Sequence, residues 1–243
     1  MTQPKKVIFF DTETTGNTEK DILCQLAYKT GKDSFSALYN PGCRIPPEAS
    51  AVHHISNKMV EGKPRFKDAE EYGTIKALFE DENSVLVAHN TLFDLAMMRK
   101  EDIFPKNFIC TLRVARHLDA EGKIDKYNLQ YLRYFLEIEI EASAHDALGD
   151  VMVLEQLFAR LLKKITEEEN LSEDEAINKM IEISSHPSIF KKLNFGKYKG
   201  MKIEEVLRID RGWLEWLLSE KEKCDAGGID EDWIYTLRHY LQK

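Results

Sequence analysis

The hydrophobic and polar positions of the chain predict an α/β sheet. Val7–Phe10 and Val85–Ala88 are unbroken apolar runs, the pattern of strands that are covered on both faces. The pattern predicts strands at 6–11, 22–29, 34–40, 84–88 and 107–111 and helices at 68–80, 91–101, 112–118, 128–136 and 144–164. Three strands followed by alternating strands and helices indicate a sheet flanked by helices.

Composition is typical of a globular protein. The 243 residues are 43% hydrophobic and 31% charged, which suits one large domain or an ordinary domain with a small one. The net charge of −8 argues against a protein that coats nucleic acid, but not against an enzyme that holds it in one cleft. No apolar run is long enough for a signal peptide or a membrane span, so no membrane partner is expected. The four scattered cysteines form no C-x-x-C pair, which favours reduced thiols and a cytoplasmic location.

Charge is distributed unevenly along the chain. Residues 1–165 carry 22 basic and 25 acidic residues, and the remainder carries 12 and 17. Between 167 and 182 seven acids face one lysine, whereas between 186 and 213 seven basic residues face three acids. The sequence therefore predicts a large domain at 1–165, an acidic helical connector at 166–185 and a smaller α+β domain at 186–243.

Two carboxylates mark the end of the first predicted strand. Asp11 and Glu13 stand at positions i and i+2, so both project from one face of the strand, with Thr12 on the other. Two ionised carboxylates repel each other unless a cation lies between them. Hard divalent ions such as Mg²⁺ or Mn²⁺ suit oxygen ligands. The alternative is a strand end with two solvated acids.

Two further polar clusters stand where helices are predicted to begin. Asp94 follows the strand at 84–88, where an acid also complements a helix dipole. Asp150 follows His145 by five residues, a step that turns about 140° on an ideal helix. The two side chains therefore point in different directions. A histidine at this place is also typical of a helix cap or a surface residue.

Together the three clusters resemble the DEDDh family of 3′–5′ exonucleases, which includes the proofreading subunit of the bacterial replicative polymerase, ribonuclease T and oligoribonuclease. The resemblance rests on D-T-E-T-T-G at 11–16, H-N-T-L-F-D at 89–94 and H-D-A-L-G-D at 145–150, with weaker similarity at 46–55, 110–116 and 128–132. A sister group carries Tyr four residues before the last Asp, but position 146 is Asp, so the His version applies. The resemblance implies a ribonuclease H-like mixed sheet flanked by helices.

The resemblance implies a metal-dependent 3′–5′ exonuclease with a two-metal mechanism. It assigns Asp11, Glu13, Asp94 and Asp150 to two Mg²⁺ or Mn²⁺ ions, which would activate water and neutralise developing charge. It assigns His145 as the general base, whose ordinary pKa near 6.5 suits neutral pH. The implied partner is nucleic acid with a free 3′ end, single-stranded or frayed. Oligomeric state and membership of a larger repair or processing complex stay open.

The resemblance also implies contacts to the substrate. The turn after the first carboxylates would hold the 3′-terminal nucleotide, and an aromatic residue would pack beside it, where stacking tolerates any base. His54 stands where relatives commonly have Gly. Phe93 is equally typical of a core aromatic, and Asn90 is more typical of a helix cap than of a ligand. The candidate residues are Thr14, Thr15, Gly16, His53, His54, Asn90 and Phe93.

A second pattern stands near the C-terminus. F-G-K-Y-K-G at 195–200 and W-L-E-W-L-L at 213–218 resemble a small module that follows the exonuclease domain in exodeoxyribonuclease X-like proteins. Basic residues interleaved with Tyr suit contact with nucleic acid, so Lys197, Tyr198 and Lys199 are candidate binding residues. The alternative is a small α+β packing unit with its tryptophans in the core. This resemblance favours DNA over RNA.

Other functions remain open on sequence alone. An exoribonuclease of the ribonuclease T or oligoribonuclease type would use the same carboxylates. A haloacid-dehalogenase-like phosphatase also ends a strand in D-x-D-x-T, but here Glu13 replaces the second Asp and that family's later motifs have no counterparts. An inactive nucleic-acid-binding module is disfavoured because all five site residues are present.

Overall fold

The computed structural model describes residues 5–18, 20–140, 147–224 and 231–242. Its centre is a five-stranded mixed sheet in the order β3-β2-β1-β4-β5. The strands are β1 (Lys6–Thr14), β2 (Leu23–Thr30), β3 (Asp33–Leu38), β4 (Ser84–Ala88) and β5 (Asn107–Cys110). The first three pair antiparallel, whereas β1, β4 and β5 are parallel. All five predicted strands are confirmed. Because β1 extends to Thr14, Asp11 and Glu13 lie within the strand.

Helices cover the sheet and form most of the C-terminal part. They are α1 (Pro47–His53), α2 (Asn57–Val60), α3 (Tyr72–Glu80), α4 (Thr91–Lys100), α5 (Thr111–Leu118), α6 (Leu129–Phe135), α7 (Ala147–Glu169), α8 (Glu173–Ser185), α9 (Ile203–Ile209), α10 (Arg211–Cys224) and α11 (Glu231–Leu241). Helices α1 and α2 fall where none was predicted, because their segments carry too few large apolar residues to show a helical period. The predicted helix at 68–80 begins later, at Tyr72, after a 3₁₀ turn at Phe66–Asp68. The start of the predicted helix at 144–164 lies outside the described residues.

The two faces of β1 contact different helices. Phe9 packs edge-to-face against Phe158 of α7, with ring centroids 5.3 Å apart. Phe10 points the other way and packs in the same manner against Phe79 of α3, at 5.5 Å. Since successive side chains of a strand alternate between its faces, a strand covered on both sides must be apolar throughout. This explains the unbroken run at Val7–Phe10.

The acidic segment at 166–185 is more than a linker. It comprises the end of α7 and all of α8, and α8 lies against β5 and α5. Ala176, Ile177 and Met180 of α8 are buried in the same core as the apolar face of α7. The acids therefore occupy exposed positions of a helix whose other face covers the sheet. The division of the chain into domains stays a prediction.

We call residues 186–242 the C-terminal module. Helices α9 to α11 enclose their own core, which includes Leu214, Leu217 and Trp233. Among the described residues of the module, strand pairing is limited to one antiparallel bridge between Lys192 and Lys202. The prediction of a tryptophan core holds in part, since Trp213 is half-buried in this core whereas Trp216 is 55% exposed.

Two arginines of α5 hold the C-terminal module against the preceding part of the chain, up to residue 185, which we call the sheet domain. Arg113 is buried and forms ion pairs with Glu231 at 2.9 Å and Asp232 at 3.5 Å. Arg116 forms an ion pair with Asp232 at 2.5 Å. Arg113, Arg116 and Asp232, which join α11 to α5, are thus largely withdrawn from water.

The sequence predicted no membrane-spanning segment and reduced cysteine thiols. Within the described ranges, none of the helices combines the length and the apolar character needed to cross a membrane. Cys24 and Cys110 are buried free thiols, and Cys43 is an exposed one.

Candidate active site

Three carboxylates converge between β1 and α7. Asp11, Glu13 and Asp150 each offer an oxygen atom, and these three oxygens lie within 4.8 Å of one another. All three residues are half-buried. Carboxylates this close repel one another when ionised, and a cation between them removes the repulsion. A set of hard oxygen donors fits a divalent ion such as Mg²⁺ or Mn²⁺.

The pleat of β1 explains why these residues meet. Asp11 and Glu13 share with Phe9 the face that looks toward α7, and Phe9 packs against Phe158 of that helix. Asp150 lies eight residues before Phe158, which is about two helical turns. It therefore reaches the same strand face further along β1, beside the other two carboxylates.

Gln130 was not predicted as a site residue. Its side-chain Nε2 donates a hydrogen bond to Oδ1 of Asp150. It lies in the first turn of α6, which is fixed because the side chain of Asn128 accepts a hydrogen bond from the Tyr131 backbone N–H at 2.9 Å. A single glutamine on a helix gives no signal in the sequence. Only its contact with Asp150 shows that it orients a carboxylate of the cluster.

Asp94 is held by Thr12, the residue between Asp11 and Glu13 in β1. Its Oδ1 accepts hydrogen bonds from the Thr12 backbone N–H at 3.2 Å and from the Thr12 hydroxyl at 2.6 Å. Thr12 points away from Asp11 and Glu13, as predicted. The structure thus brings together three of the four predicted carboxylates and holds the fourth against the strand segment that carries two of them. Burial raises the pKa of Asp94 to about 7, an effect that the bonds from Thr12 oppose.

The turn after β1 is organised by Asp21, which sequence reasoning also missed. Thr15 donates its hydroxyl to Oδ1 of Asp21 at 2.9 Å, and Thr18 donates its N–H and hydroxyl to Oδ2 at 2.7 and 2.6 Å. Hydrogen bonding, above all from the Thr18 side chain, lowers the pKa of Asp21. A Cβ at Gly16 would come within 2.7 Å of the Asp21 carboxylate oxygens, so this packing requires glycine. The hydroxyl of Thr14 is also internal to the turn, since it donates to the Gly16 carbonyl.

His53 anchors the segment that faces this turn. Its Nδ1 accepts a hydrogen bond from the Ile55 backbone N–H at 3.0 Å, so Nε2 carries the proton and donates to the Thr14 carbonyl at 3.2 Å. Burial lowers the pKa of His53, which favours the neutral ring. His53 is buried and therefore a positioning residue, whereas His54 is exposed.

His54 takes the backbone conformation that a glycine would adopt readily. It ends α1 with φ of 62° and ψ of 11°, in the left-handed region. The departure from the family's usual Gly therefore leaves a left-handed turn in place, at a conformational cost of about 1 kcal/mol. The imidazole becomes an added exposed side chain beside the turn that His53 holds.

His89 and Asn90, from the motif at 89–94, have different structural roles. The His89 ring lies 2.9 Å from the Thr111 hydroxyl and 2.5 Å from the Tyr127 carbonyl, so it joins the end of β4 to α5 and to the segment before α6. Burial lowers the pKa of His89 to about 4. Asn90 occupies the N-cap position of α4 in the left-handed region, with φ of 70°, but its side chain makes no capping hydrogen bond. Asn90 therefore stands at the predicted cap position, but its side chain does not cap the helix.

The remaining predicted contacts are dispersed. Phe93 is half-buried and packs against the core on the α3 and α4 side of the sheet. Lys197 and Tyr198 both bind Asp210, at 2.8 and 2.7 Å, so they contribute to the fold of the C-terminal module. Lys199 is exposed, and His145 lies outside the described residues, just before α7.

The fold and the acidic cluster define a nuclease family. The family model for Exonuclease matches residues 8–158, which contain the carboxylate cluster, and the chain belongs to this family. The model for the Exodeoxyribonuclease X-like C-terminal domain matches residues 193–222. The protein is therefore an enzyme that hydrolyses phosphodiester bonds, from a family that depends on divalent metal. The DEDDh resemblance is confirmed.

Individual relatives agree with this assignment. Exodeoxyribonuclease 10 of Escherichia coli (strain K12) is 29% identical over 239 residues, covering 96% of this chain and 97% of the relative. The DNA polymerase III subunit epsilon of Treponema pallidum is 31% identical and covers 63% of this chain and 74% of that subunit. Among solved structures, Exonuclease X in complex with 5′ overhanging duplex DNA is 25% identical with a TM-score of 0.56, covering 73% of this chain and 99% of that one.

Proposed function

We propose that this protein is an exodeoxyribonuclease that removes nucleotides from the 3′ end of DNA with the aid of divalent cations. The observation that carries the proposal is the convergence of Asp11, Glu13 and Asp150 inside the region that matches the exonuclease family. DNA is favoured as substrate because the relative that matches nearly the whole chain is an exodeoxyribonuclease, and the similar Exonuclease X binds 5′ overhanging duplex DNA.

The cluster supplies the ligand set for this chemistry. Asp11, Glu13 and Asp150 would hold Mg²⁺ or Mn²⁺, with Asp94 as the fourth proposed ligand. Two such ions, when bound, lower the pKa of water and neutralise charge that develops on the phosphate. The dehalogenase-like phosphatase has no support, because the chain belongs to the exonuclease family.

The chain's own residues position these groups and move the proton. Gln130 orients Asp150 through its hydrogen bond, and Thr12 fixes Asp94. His145, which precedes α7 in the chain, would accept the proton of the attacking water. The turn at 14–16, with His54, Asn90 and Phe93, would hold the terminal nucleotides.

Direction and substrate are tested with matched DNA and RNA oligonucleotides that carry a 5′ label, in Mg²⁺ and separately in Mn²⁺. A ladder that shortens from the 3′ end, with DNA degraded faster than RNA, is expected. Early release of a labelled mononucleotide would show degradation from the 5′ end and contradict the proposed 3′–5′ direction. Faster loss of RNA would support the exoribonuclease alternative, since the choice depends on contact with the 2′-hydroxyl. An Asp11→Asn variant, expected to be inactive on both, excludes a contaminating nuclease.

The role of His145 is tested separately. His145→Ala should retain affinity for DNA but lose turnover by about 10²- to 10⁴-fold, the usual contribution of a general base. His239→Ala, at an exposed position in α11, is the matched control. Equal turnover in His145→Ala and the control would show that another group takes the proton.

A further inference from the structure

A cleft separates the sheet domain from the C-terminal module. Its volume is about 880 Å³, within the range of about 300–1,000 Å³ that is usual for ligand sites. The segment at 124–129, with His89 and Asn90, lines one wall. The segment at 189–194, with Lys199 and Gly200, lines the other. Both parts of the chain are therefore needed to form it.

The walls of this cleft carry an excess of positive charge. Lys126 lines one wall, and Lys191, Lys192 and Lys199 line the other. Across the described ranges, none of these four lysines forms an ion pair, although Asp119 interacts electrostatically with Lys192. Arg116 also lines the cleft, but Asp232 balances its charge, and Asp125 adds one acid. In a chain of net charge −8, this is a local reversal of sign.

The cleft is continuous with the segments that position the acidic cluster. Asn90 lines it, and Asp94 follows one turn later in α4. Asn128 lines it as well, and two residues later Gln130 binds Asp150. The segments that carry Asp94 and Gln130 thus begin at the wall of the cleft.

The wall of the cleft that carries Lys191, Lys192 and Lys199 is held in place by hydrogen bonds and packing within the protein. The Leu193 N–H donates to the Met201 carbonyl at 3.0 Å, and the Ile203 N–H donates to the Lys191 carbonyl at 2.9 Å. Arg116 of the sheet domain stacks over Phe190, with its guanidinium carbon 4.5 Å from the ring centroid. A preformed wall spares the ligand the entropic cost of ordering it.

We propose that this basic cleft binds the phosphodiester backbone of the strand that is being shortened, upstream of its 3′-terminal nucleotides. The proposal rests on the proposed function and extends it, because it makes the C-terminal module half of the substrate-binding surface. Lys197 and Tyr198, which were predicted to contact nucleic acid, bind Asp210 instead. The proposed contacts come from the lysines that line the cleft. Binding through phosphates is independent of base sequence and weakens with salt.

The first experiment measures binding alone. A 20-nucleotide oligothymidylate with a 5′ fluorophore is titrated with protein in EDTA, which prevents hydrolysis, and anisotropy is recorded at several salt concentrations. In Lys191→Gln/Lys192→Gln, Kd should rise about 25-fold at 0.1 M salt, and the salt slope of log K should fall by about 1.4, since each phosphate contact on a single strand contributes about 0.7. Lys126→Gln, on the opposite wall, should raise Kd about 5-fold.

The matched control is Lys32→Gln/Lys163→Gln, which removes two exposed lysines outside the cleft, one in the β2–β3 turn and one on α7. Unchanged affinity and salt slope in the control, with losses in both cleft variants, supports the proposal. Affinity and slope that match the control in both cleft variants overturn it.

The second experiment separates this proposal from the proposed function. The p-nitrophenyl ester of thymidine 5′-phosphate contains one nucleotide and cannot extend into the cleft. Lys191→Gln/Lys192→Gln should hydrolyse it at the control rate while its KM for the 20-mer rises about 25-fold. Equal losses on both substrates would place these lysines at the catalytic centre and overturn the proposal. If the wild type degrades neither substrate, the proposed function fails, and the binding titration still decides the role of the cleft.

Discussion

The Asp94 carboxylate accepts two hydrogen bonds from Thr12, a residue 82 positions earlier in the chain. Thr12 stands between two of the clustered acids and points to the other face of β1, where α4 packs. The contact ties the start of α4 to the strand segment that carries Asp11 and Glu13. Both faces of one strand thus take part in the geometry of the site.

Thr12→Val should show the strength of this contact. Valine keeps the shape of threonine but removes the hydroxyl, so the buried Asp94 carboxylate loses a hydrogen bond. We expect the free energy of unfolding at pH 8 to fall by about 2 kcal/mol, the usual range for a bond to a charged group. Urea denaturation measures this, and Thr12→Ser, which keeps the hydroxyl, is the control. A Thr12→Val variant as stable as the wild type would show that the bond contributes nothing.

Metal binding should stabilise the wild type through the acidic cluster. A ligand at 100 times its Kd that binds only the folded state adds about 2.7 kcal/mol. Mn²⁺ should therefore raise the unfolding free energy of the wild type by about this amount, and that of Asp11→Asn by less than about 1 kcal/mol. Urea denaturation in EDTA and in Mn²⁺ gives both values. Asp33→Asn, at an exposed position in β3, should respond as the wild type does. A full response in Asp11→Asn would place the ion elsewhere.

His89 should make the protein less stable in mild acid. Its pKa is about 4 in the folded state because the ring is buried, against about 6.5 in the unfolded chain. Between these values the unfolded chain binds more protons, so stability falls as the pH falls from 6.5 to 4, by up to about 1.4 kcal/mol per unit. His89→Gln should lack this contribution, whereas His239→Gln should keep it. Unfolding free energies at pH 4.5, 5.5 and 6.5 test this. Identical slopes in the two variants would contradict it.

Asp232 should be critical for docking of the C-terminal module. It faces Arg113 and Arg116, whose side chains are only 7% and 17% exposed. Asp232→Asn removes the charge that balances them, and breaking such a buried pair costs about 3 kcal/mol. Glu168→Gln, which removes an exposed pair with Lys164, should cost less than about 0.5 kcal/mol. A urea midpoint that shifts equally in both variants would show that the network is not needed for docking.

The pattern of the sequence predicted the five strands, the helices that cover them and the acidic residues of the site. It could do so because these features depend on local periodicity and on motifs of a few residues. Asp11 and Glu13 share a face by the alternation of a strand alone. The short helices α1 and α2 escaped prediction, since Pro47–His53 and Asn57–Val60 carry too few large apolar residues to show a helical period.

By itself, then, the sequence determined the sheet, the carboxylates and the nuclease family, because strand alternation and motif spacing are properties of neighbouring residues. Which partners these groups meet depends on the packing of elements that are distant in the sequence. The tertiary structure set Asp94 against Thr12, Gln130 against Asp150 and Asp21 beneath the turn at Gly16. It also tied Lys197 to Asp210 and turned Lys191 and Lys192 toward the cleft. Each of these contacts joins residues from different elements or across a turn. Their distances are set by how the elements pack, which the spacing of residues in the sequence does not reveal.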